Sequence, residues 1–149
     1  MKVAVPDKSV YQDPGKKVTL TLFKEGKPRL TAPGEKHTWP ERLLPPSELL
    51  ISAPAKKVVY IGGLGDSGMS LGRIDLYDFA GKKLVEIDLN KDIPDLEQLS
   101  KGMQEDMGNF PWIAGVALSA DGSVASIDVC KALVVTVDLG KNSYAVTKR

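Results

Sequence analysis

The sequence predicts a mostly-β fold, antiparallel meander sheets with one α-helix, in a single β domain spanning 1–149. Three observations carry that prediction. Short runs alternate apolar and polar residues at the period of a half-buried strand. Glycine, proline and aspartate punctuate those runs at short intervals, as turns require. The order of runs and turns over 49–89 then returns over 113–147, an internal repeat. With 149 residues, 42% of them hydrophobic, one self-sufficient core is the default expectation.

Residues 1–17 form a polar lead-in containing proline and glycine. Val18-Thr19-Leu20-Thr21-Leu22-Phe23 alternates as a strand, and Glu25-Gly26-Lys27 turns it into a short partner ending near Leu30. This hairpin and a proline-rich loop with Pro33, Pro40, Pro45 and Pro46 fill 18–48, because proline removes the backbone donors a central strand needs. The first repeat, 49–89, holds strands at 49–52, 57–61, 73–79 and 83–89, and the second, 113–147, holds strands at 113–119, 123–129, 133–139 and 143–147. Their turns agree too: Ser52-Ala53-Pro54-Ala55-Lys56 matches Ser119-Ala120-Asp121-Gly122-Ser123, and Asp78-Phe79-Ala80-Gly81-Lys82 matches Asp138-Leu139-Gly140-Lys141. Between the repeats a helix is expected over 92–108. Leu96, Leu99, Met103 and Met107 make one apolar stripe, Asp92 or Asp95 caps it, and Gly108-Asn109 stops it.

Lys plus Arg number 20 against 19 for Asp plus Glu, a net charge of +1, which removes the field that nucleic-acid binders use to gather on phosphates. No nucleic-acid partner is expected. No apolar run approaches the ~18 residues of a membrane span, so no membrane insertion is expected either. The first quarter of the chain is basic and the middle acidic, which reads as two solvated faces or a charged docking surface. Cys130 is the single cysteine, which excludes an intrachain disulfide and a thiolate metal cluster. Met1 to Asp7 has no apolar stretch of the signal-peptide kind, while Lys2 to Lys17 resembles a segment that follows a cleaved leader, so export is the expectation.

The loop between Gly62 and Gly72 mimics three catalytic signatures, and each fails a physical requirement. Gly63-x-Gly65-x-x-Gly68 has dinucleotide-fingerprint spacing, yet only Met69 to Gly72 separate it from the next strand, leaving no helix to face a pyrophosphate. Gly63-x4-Gly68-Met69-Ser70 resembles a phosphate loop with methionine where the lysine must neutralise phosphate charge. Gly65-Asp66-Ser67-Gly68 matches the string around a serine-protease nucleophile, but the lone His37 sits in Lys36-His37-Thr38-Trp39-Pro40, without that family's histidine motif. Cys130 at a strand end reads as a small packed hydrophobe, not as a thiol activated by His37. Asp88-x-Asn90-x-Asp92 opens like a calcium loop, but Ile93 and Leu99 stand where the glycine and the bidentate glutamate belong. The chain is therefore read as non-enzymatic, with no catalytic residues, no cofactor and no metal. What survives is the loop as a binding element on a rigid sheet: Gly63, Leu64, Gly65, Asp66, Ser67, Gly68, Met69, Ser70 and Leu71 are the candidate partner-binding residues.

Gly72-Arg73-Ile74-Asp75-Leu76-Tyr77-Asp78-Phe79-Ala80-Gly81-Lys82-Lys83-Leu84-Val85 and Val116-Ala117-Leu118-Ser119-Ala120-Asp121-Gly122-Ser123 resemble consecutive strands of β-propeller blades. Blades run about 40–45 residues and closed propellers hold four or more, so the chain is expected to be an incomplete propeller of two blade-like repeats plus the N-terminal hairpin. In size, export and loop chemistry it resembles the periplasmic immunity proteins that neutralise type VI secretion peptidoglycan amidase effectors. That resemblance implies a periplasmic inhibitor whose loop, Gly65 to Ser70, occludes the effector's Cys-His cleft, with the Ser67 or Ser70 hydroxyl bonding its catalytic groups. The competing expectation is a self-associating propeller-like module of a larger assembly.

Overall fold

The computed structural model describes residues 7–43, 46–65, 68–69, 73–95 and 113–148. Strands dominate: β1 Lys8–Gln12, β2 Thr19–Phe23, β3 Arg29–Ala32, β4 Glu35–Thr38, β5 Pro46–Ser52, β6 Lys57–Gly65, β7 Gly68–Met69, β8 Arg73–Asp78, β9 Lys83–Asp88, β10 Ile113–Leu118, β11 Val124–Val129, β12 Leu133–Asp138 and β13 Ser143–Lys148, with one helical turn, α1 Leu89–Asp92. They form three antiparallel meanders, β1-β2-β3-β4, β5-β6-β8-β9 and β10-β11-β12-β13, with β7 added on β6. The architecture is that of an incomplete propeller, mostly β, with both predicted repeats present as sheets.

The N-terminal part departs from expectation at both ends of the hairpin. Ser9, within the supposed lead-in, pairs with Leu22, and His37, within the supposed proline-rich loop, pairs with Leu30, so the hairpin is the middle of a third four-stranded sheet. The prolines mark its boundaries. Pro33-Gly34 is the tight turn between β3 and β4, with Gly34 at φ +73°, and Pro46 is the first residue of the edge strand β5, a position that tolerates proline. The expected helix falls mostly on 96–108, outside the described residues; its proposed cap Asp92 instead ends α1, where its carboxylate accepts a 2.6 Å hydrogen bond from the Tyr144 hydroxyl.

The three sheets stack face to face, and the middle one is covered on both sides. Ile51, Val58, Tyr60 and Tyr77 pack with Leu20, Leu22, Leu30 and Trp39 of the first unit. On the opposite face, Val59, Ile61, Ile74, Leu76 and Ile87 pack with Ile127, Val129, Val135 and Val137 of the third. This double burial is why β6 carries the unbroken apolar run Val58-Val59-Tyr60-Ile61 and β8 is buried at four successive positions, whereas β11 and β12 alternate strictly.

Repeated turns fix the registers. Asp78 Oδ1 accepts from the Ala80 and Lys82 amides at 2.9 Å each, and Asp138 Oδ1 accepts from Gly140 and Lys141 at 3.1 and 3.0 Å, the same cap in the two repeats. Ser52 closes its own turn by accepting the Ala55 amide at 3.3 Å, and it also donates 2.5 Å to the Gly122 carbonyl, joining the second sheet to the third. Lys57 adds a second link through the Leu139 carbonyl at 2.9 Å.

Candidate functional site

The middle sheet builds the candidate site at the far end of β6. That strand pairs with β8 from Lys57 to Ile61, and beyond a change of partner it pairs with β7, Leu64 opposite Met69 and Gly65 opposite Gly68. Gly62, between the two stretches, adopts φ +58°. An L side chain resists that conformation, so a glycine is the residue that lets β6 leave one partner for the next. The glycine-rich segment is thus a short hairpin that continues β6 beyond its pairing with β8. Of the expected binding residues, Gly63, Leu64 and Gly65 lie on β6 and Gly68 and Met69 on β7; Asp66, Ser67, Ser70 and Leu71 fall outside the described residues.

The groups that the catalytic look-alikes would require are placed elsewhere. His37 lies on β4 and meets Glu35 at 3.3 Å, and Glu35 also takes Lys56 at 3.0 Å; these two partners, Lys56 first, hold the Glu35 carboxyl below its ordinary range. Cys130 packs in the core between the second and third sheets, where burial, and secondarily Asp128, push its thiol up and disfavour the nucleophilic thiolate. Asp88 ends β9 while Asn90 and Asp92 lie in α1, so the calcium-like spacing runs from a strand into a helical turn.

A second constellation escaped the sequence reading. Trp39 stacks on Tyr77 with centroids 5.0 Å apart, and Tyr60 meets Tyr77 edge-on at 6.4 Å. The Trp39 indole N–H donates 2.9 Å to the Phe79 carbonyl, and Gly81, at φ +86°, lies so close that an added Cβ would stand 2.4 Å from Trp39 Cγ. Beside the aromatics the buried Asp75 faces Arg73 at 3.6 Å and Lys83 at 3.8 Å, and Glu86 bonds Arg73. Burial pushes the Asp75 carboxyl above the usual carboxylate range, and Lys83 and Arg73 draw it part of the way back. Burial likewise pushes both tyrosine phenols upward. A recess of about 190 Å³ opens here between Trp39, Leu43, Tyr77 and Lys83. The available signal was Asp75 itself, an acidic residue inside the apolar run Ile74-Asp75-Leu76-Tyr77.

No helix among the described residues is long and apolar enough to cross a membrane. No family model and no curated protein sequence matches this chain. Among solved structures the chain is similar to one titled "Crystal structure of HIRA(644-1017)", at 8% identity and a TM-score of 0.46, over 89% of this chain and 37% of that one. The chain therefore spans little more than a third of that structure's length.

Proposed function

We propose that this chain is a non-enzymatic protein-binding module that inserts its β6–β7 hairpin into a partner's cleft. More specifically, we read it as a periplasmic immunity protein occluding the Cys-His site of a peptidoglycan amidase effector. The observation that carries the reading is the β6–β7 register: glycines sit opposite one another at Gly65 and Gly68, on a projection rooted in a sheet clamped on both faces. Paired glycines make a ribbon narrow enough for a slot that excludes larger side chains, and a rigid root limits the entropy lost on docking. The Ser67 and Ser70 hydroxyls supply hydrogen-bonding groups for the partner's catalytic residues, and Met69 and Leu71 supply apolar contact beside them.

The test captures the partner from secretion-active cells on the immobilised chain and then assays peptidoglycan hydrolysis. A cell-wall amidase should be recovered and stoichiometrically inhibited, and Gly65→Val or Gly68→Val should abolish both effects while leaving Tm unchanged, valine being at home in a strand. Recovery of no cell-wall hydrolase, or full inhibition by both valine variants, would remove the immunity reading. No described strand packs on the outer faces of the first and third sheets, which favours a second reading beside it, a module that associates with its own kind.

A further inference from the structure

We propose that two copies of this chain close one six-sheet ring, the outer face of the first sheet in each copy docking on the outer face of the third sheet in the other. The inference deepens the self-association reading and rests on it; it does not depend on the hairpin.

The pleat decides what each outer face displays. In the first sheet Leu20, Leu22 and Leu30 point into the core, so Lys8, Val10, Phe23, Arg29 and Lys36 share the opposite face. Val10 is 52% exposed, Arg29 lies over the Phe23 ring at 5.6 Å, and no strand residue on that face is acidic. In the third sheet Ile127, Val135 and Val137 point inward, so the outer face carries Ala117, Ser126, Thr136 and Ala145 together with Asp128 and Asp138. No strand residue on that face is basic. A three-cation face and a two-carboxylate face are complementary, and the short side chains of the second, Val124 and Val134 among them, leave it flat enough for a sheet to lie on.

Closure fixes the number of copies. Each chain supplies three sheets, and propellers typically hold four to eight blades, so six is the one multiple of three that fits. Contact between unlike faces is head-to-tail and ends only when the ring closes, here after two copies. Four strands about 4.8 Å apart and about 18 Å long give a face of roughly 350 Å²; two contacts bury four such faces, about 1,400 Å², the size of a stable interface.

Sedimentation equilibrium of the full chain from 1 to 100 µM tests the ring. A discrete dimer is expected, its dissociation constant rising at least tenfold in the double variant Arg29→Glu/Lys36→Glu. Adding Ala117→Lys/Ala145→Lys to that variant should recover at least part of the lost affinity, since the first face is then net negative and the two lysines offset Asp128 and Asp138 on the third, and circular dichroism checks that every variant is folded. A monomer at 100 µM overturns this proposal and the self-association reading together. A dimer indifferent to the charge reversals, or a series of ever larger oligomers, overturns the ring while leaving self-association in place.

Discussion

Two glycines with nearly the same backbone conformation separate the cost of strain from the cost of packing. Gly34 and Gly81 have φ of +73° and +86°, but a Cβ on Gly34 would meet nothing within 4 Å, while one on Gly81 would stand 2.4, 2.7 and 2.8 Å from Cγ, Cδ2 and Cβ of Trp39. Gly34→Ala should therefore lose only the left-handed penalty, about 1–2 kcal/mol. Gly81→Ala bears that penalty and also drives into an indole that cannot retreat, being 1% exposed, stacked on Tyr77 and tied to the Phe79 carbonyl. Overpacking of that kind adds about 1–3 kcal/mol, for a total of about 2–5 kcal/mol. At about 2–4 °C per kcal/mol for a chain of this size, Tm should fall a few degrees in the first variant and roughly ten in the second. Urea unfolding followed by tryptophan fluorescence measures both losses, with unchanged m-values confirming that the folded state keeps its compactness. Equal losses in the two variants would refute the claim that Gly81 is required by its contact with Trp39.

The remaining predictions concern the sheet junction, one turn and the acid range. Ser52→Ala removes the donor to the buried Gly122 carbonyl and should cost about 1–3 kcal/mol by chemical denaturation, the range for leaving a buried acceptor unsatisfied. Asp13 Oδ1 accepts the Lys17 and Val18 amides at 2.7 and 2.8 Å, so Asp13→Ala should cost about 1–2 kcal/mol, and Asp13→Asn, which keeps an acceptor there, markedly less. Asp75 and Asp121 should act on stability in opposite senses below neutrality. The folded Asp75 carboxyl titrates above the unfolded value of 3.8, so the folded state binds more protons and stability falls as pH rises through that window. Hydrogen bonds from Ser119 and then Ser123 lower the Asp121 carboxyl to about 2, so its contribution is present above pH 3.8 and is lost as pH falls toward 2. Urea midpoints from pH 2 to 7 should show the falling slope vanish in Asp75→Asn and the acid loss shrink in Asp121→Asn.

How far the fold could be read depended on whether local chemistry carried the answer. Asp78 and Asp138 cap their turns through hydrogen bonds two to four residues long, so the same letters in the two repeats announced the same structure. β1 and β4 gave no such signal. Lys8-Ser9-Val10-Tyr11-Gln12 and Glu35-Lys36-His37-Thr38 are the edges of an outer sheet with little apolar content, and their pairing is decided by strands several residues away rather than by their own letters. Prolines added to the misreading, since those that punctuate β3, β4 and β5 suggested one long loop. The hairpin was legible as a glycine-rich excursion, but its register depends on the φ of Gly62, which composition does not encode. The Trp39–Tyr77–Gly81 cluster joins residues from two sheets, so no spacing along the chain points to it.

The same burial that hides the middle sheet also explains where an insertion could be accommodated. Both faces of β5, β6 and β8 are occupied by neighbouring sheets, so a bulky addition within those strands would force two cores apart. A turn between strands escapes this constraint because it leaves the sheet along the strand axis. The first sheet joins its second and third strands through Lys24-Glu25-Gly26-Lys27-Pro28 and the third through Cys130-Lys131-Ala132, whereas the middle sheet lengthens the equivalent connection into 62–72. The extra residues therefore continue β6, a strand held on both faces. Replacing 63–72 by the three-residue Cys-Lys-Ala turn should leave the unfolding free energy from urea titration within about 1 kcal/mol of the parent, because a shorter loop lowers closure entropy only slightly. A collapse of stability in that variant would show that the excursion belongs to the core, and the case for it as a partner-facing element would fall with it.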